Sequence, residues 1–181
     1  MTSLLLFALL AADLPHVVLE TTMGEIEVEL EAAKAPGTVA NFLRYVQDGR
    51  YDGGRFHRTV RMDNQPDNVI KIEVIQGGPR PGTENFPSIP LERTTVTGLK
   101  HTNGVISMAR FQPDSAAGDF FFCIGDQPEL DFGGKRNPDG QGFAAFGRVV
   151  RGMEVVKKIQ MAPYEKQRLT PPIEIRKARL K

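Results

Sequence analysis

The sequence contains no tryptophan and a single cysteine, Cys123, among its 181 residues. One cysteine excludes an intramolecular disulfide and a zinc site built from several thiolates. An excess of one charge sign is also missing, since 23 Lys and Arg residues stand against 22 Asp and Glu residues, for a formal net charge of +1. Binding to nucleic acid through a basic surface needs a clustered surplus of Lys and Arg. We therefore expect no nucleic-acid partner.

Long hydrophobic runs are scarce as well. The unbroken apolar run from Leu4 to Ala12 is too short to span a bilayer, so we expect no integral membrane segment. It resembles the apolar part of an export signal, although no Lys or Arg precedes it. One interpretation is a truncated signal over residues 1–12, which predicts a periplasmic or secreted protein. The alternative is a hydrophobic first strand, and a cytoplasmic location then stays open.

Sequence patterns of several hydrolytic and metal-dependent chemistries are missing too. The three histidines, His16, His57 and His101, are not spaced three or four residues apart as metal-binding pairs are. No Ser lies in a Gly-x-Ser-x-Gly motif, which a nucleophile elbow requires. Cys123 lies within an apolar run, which is typical of a core residue rather than a reactive thiol. We therefore expect no metal site.

The residues that are present predict one domain rich in β-strands. A chain of 181 residues can bury one good core and is too short for two ordinary domains, so we assign residues 13–181 to a single domain. Apolar and polar residues alternate on both sides of Met23-Gly24, which predicts a hairpin. Further strand signals lie at 56–60, 70–76, 104–110, 120–124, 143–150 and 173–175.

Two stretches have helical periodicity instead. Apolar residues between Val39 and Val46 recur at spacings of three and four, with Pro36 before them and Gly49 after them. A second helix is predicted over residues 153–159. Many strands, two short helices and one core favour a closed barrel, because closure removes exposed strand edges.

The segment Gly54-Arg55-Phe56-His57-Arg58 carries the most informative charge in the sequence. Period two predicts that Phe56 and Arg58 share one face of a strand while His57 points elsewhere. A guanidinium on the apolar side of a strand costs free energy unless it is paired. The periodicity leaves two interpretations: an internal ion pair, or a fork of donors aimed into a cleft.

Short motifs follow one another in a distinctive order along the chain. They are Thr22-Met23-Gly24, Pro36 to Phe42, Phe56-His57-Arg58, Gln76-Gly77-Gly78, Gly104 to Ala109, Asp119 to Phe122 and Phe146 to Val149. In this order and spacing they resemble the cyclophilin family of peptidyl-prolyl cis-trans isomerases, and specifically a bacterial, export-associated branch. The resemblance extends from Val17 to the C-terminus. It implies a mainly β fold, a closed eight-stranded antiparallel β-barrel with a helix capping each open end.

The resemblance also implies an activity, catalysed rotation about the peptide bond before proline, with no metal or cofactor. Uncatalysed, that rotation crosses a barrier of roughly 18–20 kcal/mol. By the family pattern, Arg58 donates a hydrogen bond to the prolyl nitrogen, which becomes more basic as the amide twists. The partners expected are proline-containing peptides and folding proteins, and the protein is expected to be a monomer.

The same resemblance implies which residues hold the substrate. Phe121, Leu130 and Val74 line an apolar pocket for the proline ring, Gln76 orients Arg58, and backbone groups bind the peptide. The full set of expected substrate-binding residues is Phe56, His57, Val74, Gln76, Ala109, Arg110, Asp119, Phe121, Leu130 and Phe143.

The chain departs from the family pattern in its groove and in one loop. Between Arg58 and Gln76 lie 17 residues, more than is usual in cyclophilins. Glu73, Asp119 and Phe143 stand where Phe, Gln and His are common, and without a tryptophan we expect poor cyclosporin binding. The function expected is an active isomerase that assists the folding of exported proteins. The alternative is a barrel that binds proline-containing segments as a chaperone with little or no catalysis.

Overall fold

The computed structural model describes residues 14–181, and the predicted export signal over residues 1–12 lies outside the described residues. One antiparallel sheet contains nine strands. They are β1 His16–Thr21, β2 Gly24–Leu30, β3 Gly54–Val60, β4 Val74–Gly78, β5 Val105–Met108, β6 Phe120–Cys123, β7 Ala144–Arg151, β8 Tyr164–Glu165 and β9 Arg168–Leu180. The helices are α1 Pro36–Gln47, α2 Thr94–Thr97 and α3 Met153–Gln160, with a 3-10 turn at Pro128–Leu130.

The sheet closes on itself because β9 pairs with β1. Around the barrel the strands follow the order β1-β2-β7-β5-β6-β4-β3-β9. The remaining strand, β8, has two residues and pairs with β9 as a short hairpin. The predicted closed eight-stranded barrel is therefore confirmed. Closure satisfies the backbone hydrogen bonds of strands that would otherwise be edges.

Helices α1 and α3 confirm the two helices predicted from periodicity. Pro36 begins α1, where its missing N–H has no intrahelical partner to lose. The buried Phe42 of this helix contacts the barrel core, with ring centroids 5.6 Å from Phe120 and 5.2 Å from Phe146. Helix α3 packs against β2, β3 and β4. Within residues 14–181, none of the helices has the length and hydropathy needed to cross a bilayer.

The loop before β4 is longer than the sequence pattern predicts, because strand pairing begins at Val74 rather than at Ile70. The side chain of Gln65, only 1% exposed, organises this loop. Its Nε2 donates to the carbonyl oxygens of Arg61 and Ile72 at 2.7 and 2.8 Å, and its Oε1 accepts from the Ile72 amide at 3.3 Å. Buried backbone groups are therefore satisfied by one side chain rather than by a neighbouring strand.

Alternation along β6 divides the apolar residues between two clusters. Phe120 and Phe122 belong to the main core inside the barrel, whereas Phe121 and Cys123 belong to a second cluster on the outer face. The second cluster consists of Val60, Ile72, Val74, Val105, Phe121, Cys123, Leu130 and Ala145. Cys123 is fully buried, as predicted, and burial raises the pKa of its thiol.

Candidate active site

A cavity of about 440 Å³ lies over the second apolar cluster. Its apolar floor is formed by Ile72, Val74, Phe121, Leu130 and Phe143. The rings of Phe121 and Phe143 meet edge to face with centroids 5.4 Å apart. Ligand cavities combine such an apolar floor with a few directed polar groups. The shape and chemistry of this floor suit a small apolar ring.

Nine of the residues predicted from the sequence line this one cavity. They are Arg58, Val74, Gln76, Ala109, Arg110, Asp119, Phe121, Leu130 and Phe143. Two predicted residues lie elsewhere. Phe56 is fully buried in the main core against Phe120, with ring centroids 5.8 Å apart. His57 borders a neighbouring cavity of about 470 Å³, which Arg58 also lines.

A β-bulge at His57 separates Phe56 from Arg58. Phe56 pairs with Gly77 and Arg58 pairs with Gln76, so His57 is an extra residue of β3 between two consecutive positions of β4. The extra residue reverses the alternation of side chains, and Arg58 faces the outer cavity while Phe56 enters the core. The prediction that these two side chains share a face is therefore wrong, because period two holds only while the register is unbroken.

The guanidinium of Arg58 is held by two neutral side chains. Nη1 donates to Oε1 of Gln76 at 3.1 Å, and Nε and Nη2 donate to Oε1 of Gln167 at 2.9 and 2.6 Å. Within the described part of the chain, Arg58 forms no ion pair. Burial lowers the pKa of Arg58, yet a guanidinium remains protonated at neutral pH. The geometry agrees with a fork of donors at a cleft rather than with an internal ion pair.

Asp119 determines which way the Gln76 amide faces. Oδ2 of Asp119 accepts a hydrogen bond from Nε2 of Gln76 at 3.2 Å. An ionised carboxylate can only accept, so the NH₂ group of Gln76 must face Asp119 and its oxygen must face Arg58. Asp119 thus orients Arg58 through Gln76, in addition to lining the cavity.

Gln167 is a residue of the site that sequence reasoning missed. Besides binding Arg58, its Nε2 donates to the carbonyl oxygen of Asn64 at 3.0 Å, and its own carbonyl accepts from the Thr59 amide at 2.9 Å. Gln167 lies between β8 and β9 in a polar stretch with no motif or periodicity to mark it. The backbone pairing of Arg58 on β3 with Arg168 on β9 places the preceding residue, Gln167, beside the guanidinium of Arg58.

A family model described as cyclophilin type peptidyl-prolyl cis-trans isomerase/CLD matches residues 16–180. The chain belongs to the cyclophilin family. One similar cyclophilin is peptidyl-prolyl cis-trans isomerase A of Dickeya dadantii, 37% identical over 161 residues, a span covering 87% of this chain and 77% of that protein. Another is peptidyl-prolyl cis-trans isomerase cyp18 of Streptomyces antibioticus, 40% identical over 147 residues, covering 80% and 82% of the two chains.

A solved cyclophilin structure confirms the fold independently. The crystal structure of a cyclophilin type peptidyl-prolyl cis-trans isomerase from Cryptosporidium parvum superposes with a TM-score of 0.75 at 21% sequence identity. The superposition covers 93% of this chain and 98% of that one. At this level of identity, the likeness concerns the shared barrel.

The prediction that Glu73 lies in the cyclophilin groove is wrong. Oε1 of Glu73 accepts a hydrogen bond from Nε2 of Gln160 on α3, at 3.0 Å. Ile72 lines the cavity instead and is 7% exposed. Ile72 and Val74 are two residues apart and reach the same face, so the groove keeps an apolar side chain at this place. Asp119 and Phe143, the other two departures, do line it.

Arg110 joins the 131–143 loop of this cyclophilin to the rim of its cavity. Nη1 and Nη2 donate to the carboxylate of Asp139 at 2.7 and 3.0 Å, and Nε donates to the carbonyl oxygen of Gly142 at 2.8 Å. The hydrogen bonds from Arg110 hold the pKa of Asp139 below its usual range. The guanidinium carbon lies 5.0 Å from the ring centre of Phe143, within cation–π range.

A buried polar chain lies beneath the aromatic floor. Nδ1 of His101 is 2.8 Å from Oδ1 of Asp131, and Nε2 is 2.9 Å from Oγ of Ser107. The imidazole stacks against Phe121 with ring centroids 6.1 Å apart. Ser107 is fully buried. These three hydrogen-bonded residues therefore cannot act on a bound peptide as a hydrolytic triad would. It supports the ring of Phe121 from below.

Proposed function

We propose that this protein is a peptidyl-prolyl cis-trans isomerase acting on X-Pro bonds in peptides and folding proteins. The observation that carries the proposal is Arg58, a charged donor that Gln76 and Gln167 hold at an apolar cavity, with no ion pair to a carboxylate of residues 14–181. Membership of the family supports the same activity. The reaction makes and breaks no covalent bond, so binding geometry and electrostatics are sufficient for it.

The catalytic effect of Arg58 follows from the electronic structure of the amide. In the planar states, resonance draws the nitrogen lone pair toward the carbonyl, and in the twisted state the lone pair returns to nitrogen. A donor aimed at the prolyl nitrogen therefore stabilises the transition state more than either planar state. A hydrogen bond from a charged group contributes about 1.5–3 kcal/mol, or about ten- to a hundredfold in rate.

The hydrogen bonds of Arg58 leave donors free for this task. A guanidinium has five N–H groups, and three of them donate to Gln76 and Gln167. Nη1 and Nη2 each retain one N–H. Because the two acceptors are neutral, they fix the position of the group and leave its full charge for the substrate. An ion pair would fix the position but weaken the charge.

The apolar floor is assigned to the proline ring. Phe121, Leu130, Val74 and Ile72 present the apolar surface, and burying one CH₂ group contributes about 0.8 kcal/mol. Ala109 and Arg110 follow the last residue of β5 and line the same cavity, and their backbone groups are assigned to the peptide. A peptide bound in this way is held with its X-Pro bond beside Arg58.

A binding module with little catalysis is the second candidate. Asp119 favours it, because a carboxylate on the cavity adds negative charge next to the groups that hold Arg58. Assistance to the folding of exported proteins, and a periplasmic or secreted location, are further proposals. Both proposals rest on the apolar run from Leu4 to Ala12, which resembles the apolar part of an export signal.

A protease-coupled assay on an X-Pro peptide tests the isomerase function. Arg58→Ala is expected to lower kcat/KM by about tenfold or more, with peptide binding and melting temperature retained. Arg148→Ala is the matched control, because Arg148 is an exposed arginine paired with Glu29 on another part of the barrel. Wild-type and Arg58→Ala proteins that bind the peptide but both leave the rate at background would establish the binding module instead.

A further inference from the structure

The 131–143 loop brings a second guanidinium, that of Arg136, to the cavity that Arg58 lines. Nη1 of Arg136 donates to the carbonyl oxygen of Ile70 at 2.5 Å, and its backbone amide donates to the carbonyl of Glu129 at 3.2 Å. The side chain of Arg136 is thus anchored to the loop before β4, and its backbone is anchored to the 3-10 turn at Pro128–Leu130. The position of its charge is set by the fold.

The other charged groups that line the cavity already have partners. Arg110 pairs with Asp139 through two hydrogen bonds of 2.7 and 3.0 Å. Asp119 accepts from Gln76, and its Oδ2 lies 3.6 Å from Nε2 of His57. Neither group is available to neutralise a charge elsewhere in the cavity without losing these contacts.

Arg58 and Arg136 are different, because their side-chain hydrogen bonds go to neutral oxygens. Neither takes part in an ion pair with any carboxylate of residues 14–181. Burial is the main cause that lowers the pKa of Arg136, and the positive charge of Arg58, which lines the same cavity, lowers it further. A bound anion relieves that repulsion, and guanidinium groups bind carboxylates through paired N–H···O contacts.

We propose that Arg136 selects clients with an Asp or Glu next to the proline, by binding the acidic side chain while the proline ring occupies the apolar floor. This inference rests on the proposed isomerase function, since it concerns which X-Pro bonds the same cavity accepts. Asp119 repels a carboxylate at its own part of the cavity. The preference is therefore expected on one side of the proline rather than on both.

Four peptides test the proposal, with Glu or Gln placed immediately before or immediately after the proline. The catalysed cis–trans exchange rate is measured by NMR at subsaturating peptide, after subtraction of the uncatalysed rate of each peptide. At one of the two positions, wild-type protein is expected to favour Glu over Gln by about fivefold at low ionic strength, and by less as salt is added. Arg136→Gln is expected to reduce this ratio to below about twofold.

Lys135→Gln is the matched control, because it removes the same charge from the adjacent, exposed residue, which does not line the cavity. It is expected to keep the wild-type ratio. A Glu-to-Gln ratio near one at both positions, with the Gln peptides still turned over, overturns the inference and leaves the isomerase function standing. An equal loss of the catalysed rate on Glu and Gln peptides in Arg136→Gln also overturns the inference. That pattern would indicate that Arg136 stabilises the loops and does not bind the acidic side chain of the peptide.

The same experiment distinguishes failure of this inference from failure of the proposed isomerase function. If no peptide shows catalysed exchange, the proposed isomerase function fails. The same spectra still give the affinity of each peptide from its shift changes on titration. A higher affinity for Glu than for Gln that disappears in Arg136→Gln then supports selection by Arg136, and equal affinities contradict it.

Discussion

Gln167 accepts two hydrogen bonds from Arg58 at a single oxygen, at 2.9 Å from Nε and 2.6 Å from Nη2. The two residues are 109 positions apart in the chain. Because two N–H groups on one edge of the guanidinium converge on one acceptor, the plane of that group is fixed. Gln167 thus contributes position and no charge, and the guanidinium keeps its charge for a bound substrate.

Gln167→Ala is expected to lower kcat/KM by about tenfold and to leave KM nearly unchanged. The truncation releases one edge of the guanidinium, so Arg58 spends less time in the productive position while the apolar floor stays intact. The protease-coupled assay gives both constants. Glu165→Gln, an exposed change in the neighbouring β8, is the control and is expected to match wild type. A loss confined to KM would contradict a positioning role.

Ile72→Ala and Glu73→Ala form a second test, since these neighbours point to different surroundings. Ile72→Ala is expected to raise KM by roughly fivefold, because it removes apolar surface worth about 1 kcal/mol from the floor of the cavity. Glu73→Ala is expected to leave KM at the wild-type value, since its carboxylate binds Gln160 away from the cavity. Melting curves check that both proteins are folded. The reverse order of KM values would place Glu73, not Ile72, in the groove.

Acid stability should report on Asp131. Burial raises the pKa of Asp131, but hydrogen bonds from His101 outweigh that effect and hold this pKa below its ordinary value of 3.8. A depressed pKa in the folded state means that ionised Asp131 stabilises the fold above pH 3.8, and that this stabilisation is lost as the pH falls through the folded value.

Asp131→Asn is therefore expected to lower the free energy of unfolding at pH 7 by about 1.5–3 kcal/mol. The difference from wild type should shrink as the pH falls below 3.8. Denaturant unfolding at several pH values measures it. Asp67→Asn, a change at an exposed carboxylate, serves as the control. A difference that is constant down to the lowest pH would show that Asp131 acts through packing rather than through its charge.

Much of the fold was predictable from local patterns. The periodicity between Val39 and Val46 predicts α1, and alternation predicts the barrel strands, because each signal is carried by residues a few positions apart. The motif Phe56-His57-Arg58 and the later motifs also predict most of the cavity. The side chains of these motifs lie on or next to barrel strands, and the family pattern already implies how those strands pair.

The sequence predictions fail at two places, where a bulge shifts the strand register and where a loop replaces the start of a predicted strand. The bulge at His57 sends Arg58 to the opposite face from Phe56. The buried side chain of Gln65 shortens β4, so that Ile72 approaches the cavity from a loop. Neither effect is visible in alternation, because each depends on hydrogen bonds between strands or across a loop.

Local patterns in the amino-acid sequence establish the eight barrel strands, the helices α1 and α3, the family, and the chemistry available at Arg58. The three-dimensional fold is needed to show which neutral oxygens hold that guanidinium and that Arg136 lines the same cavity. Gln167 and Arg136 lie far from Arg58 in the chain. The pairing of β3 with β9 places Gln167 beside Arg58, and the hydrogen bond from Arg136 to the carbonyl oxygen of Ile70 holds Arg136 at the same cavity. Such contacts depend on the whole fold, since no residue near Gln167 or Arg136 in the sequence specifies their distance from Arg58.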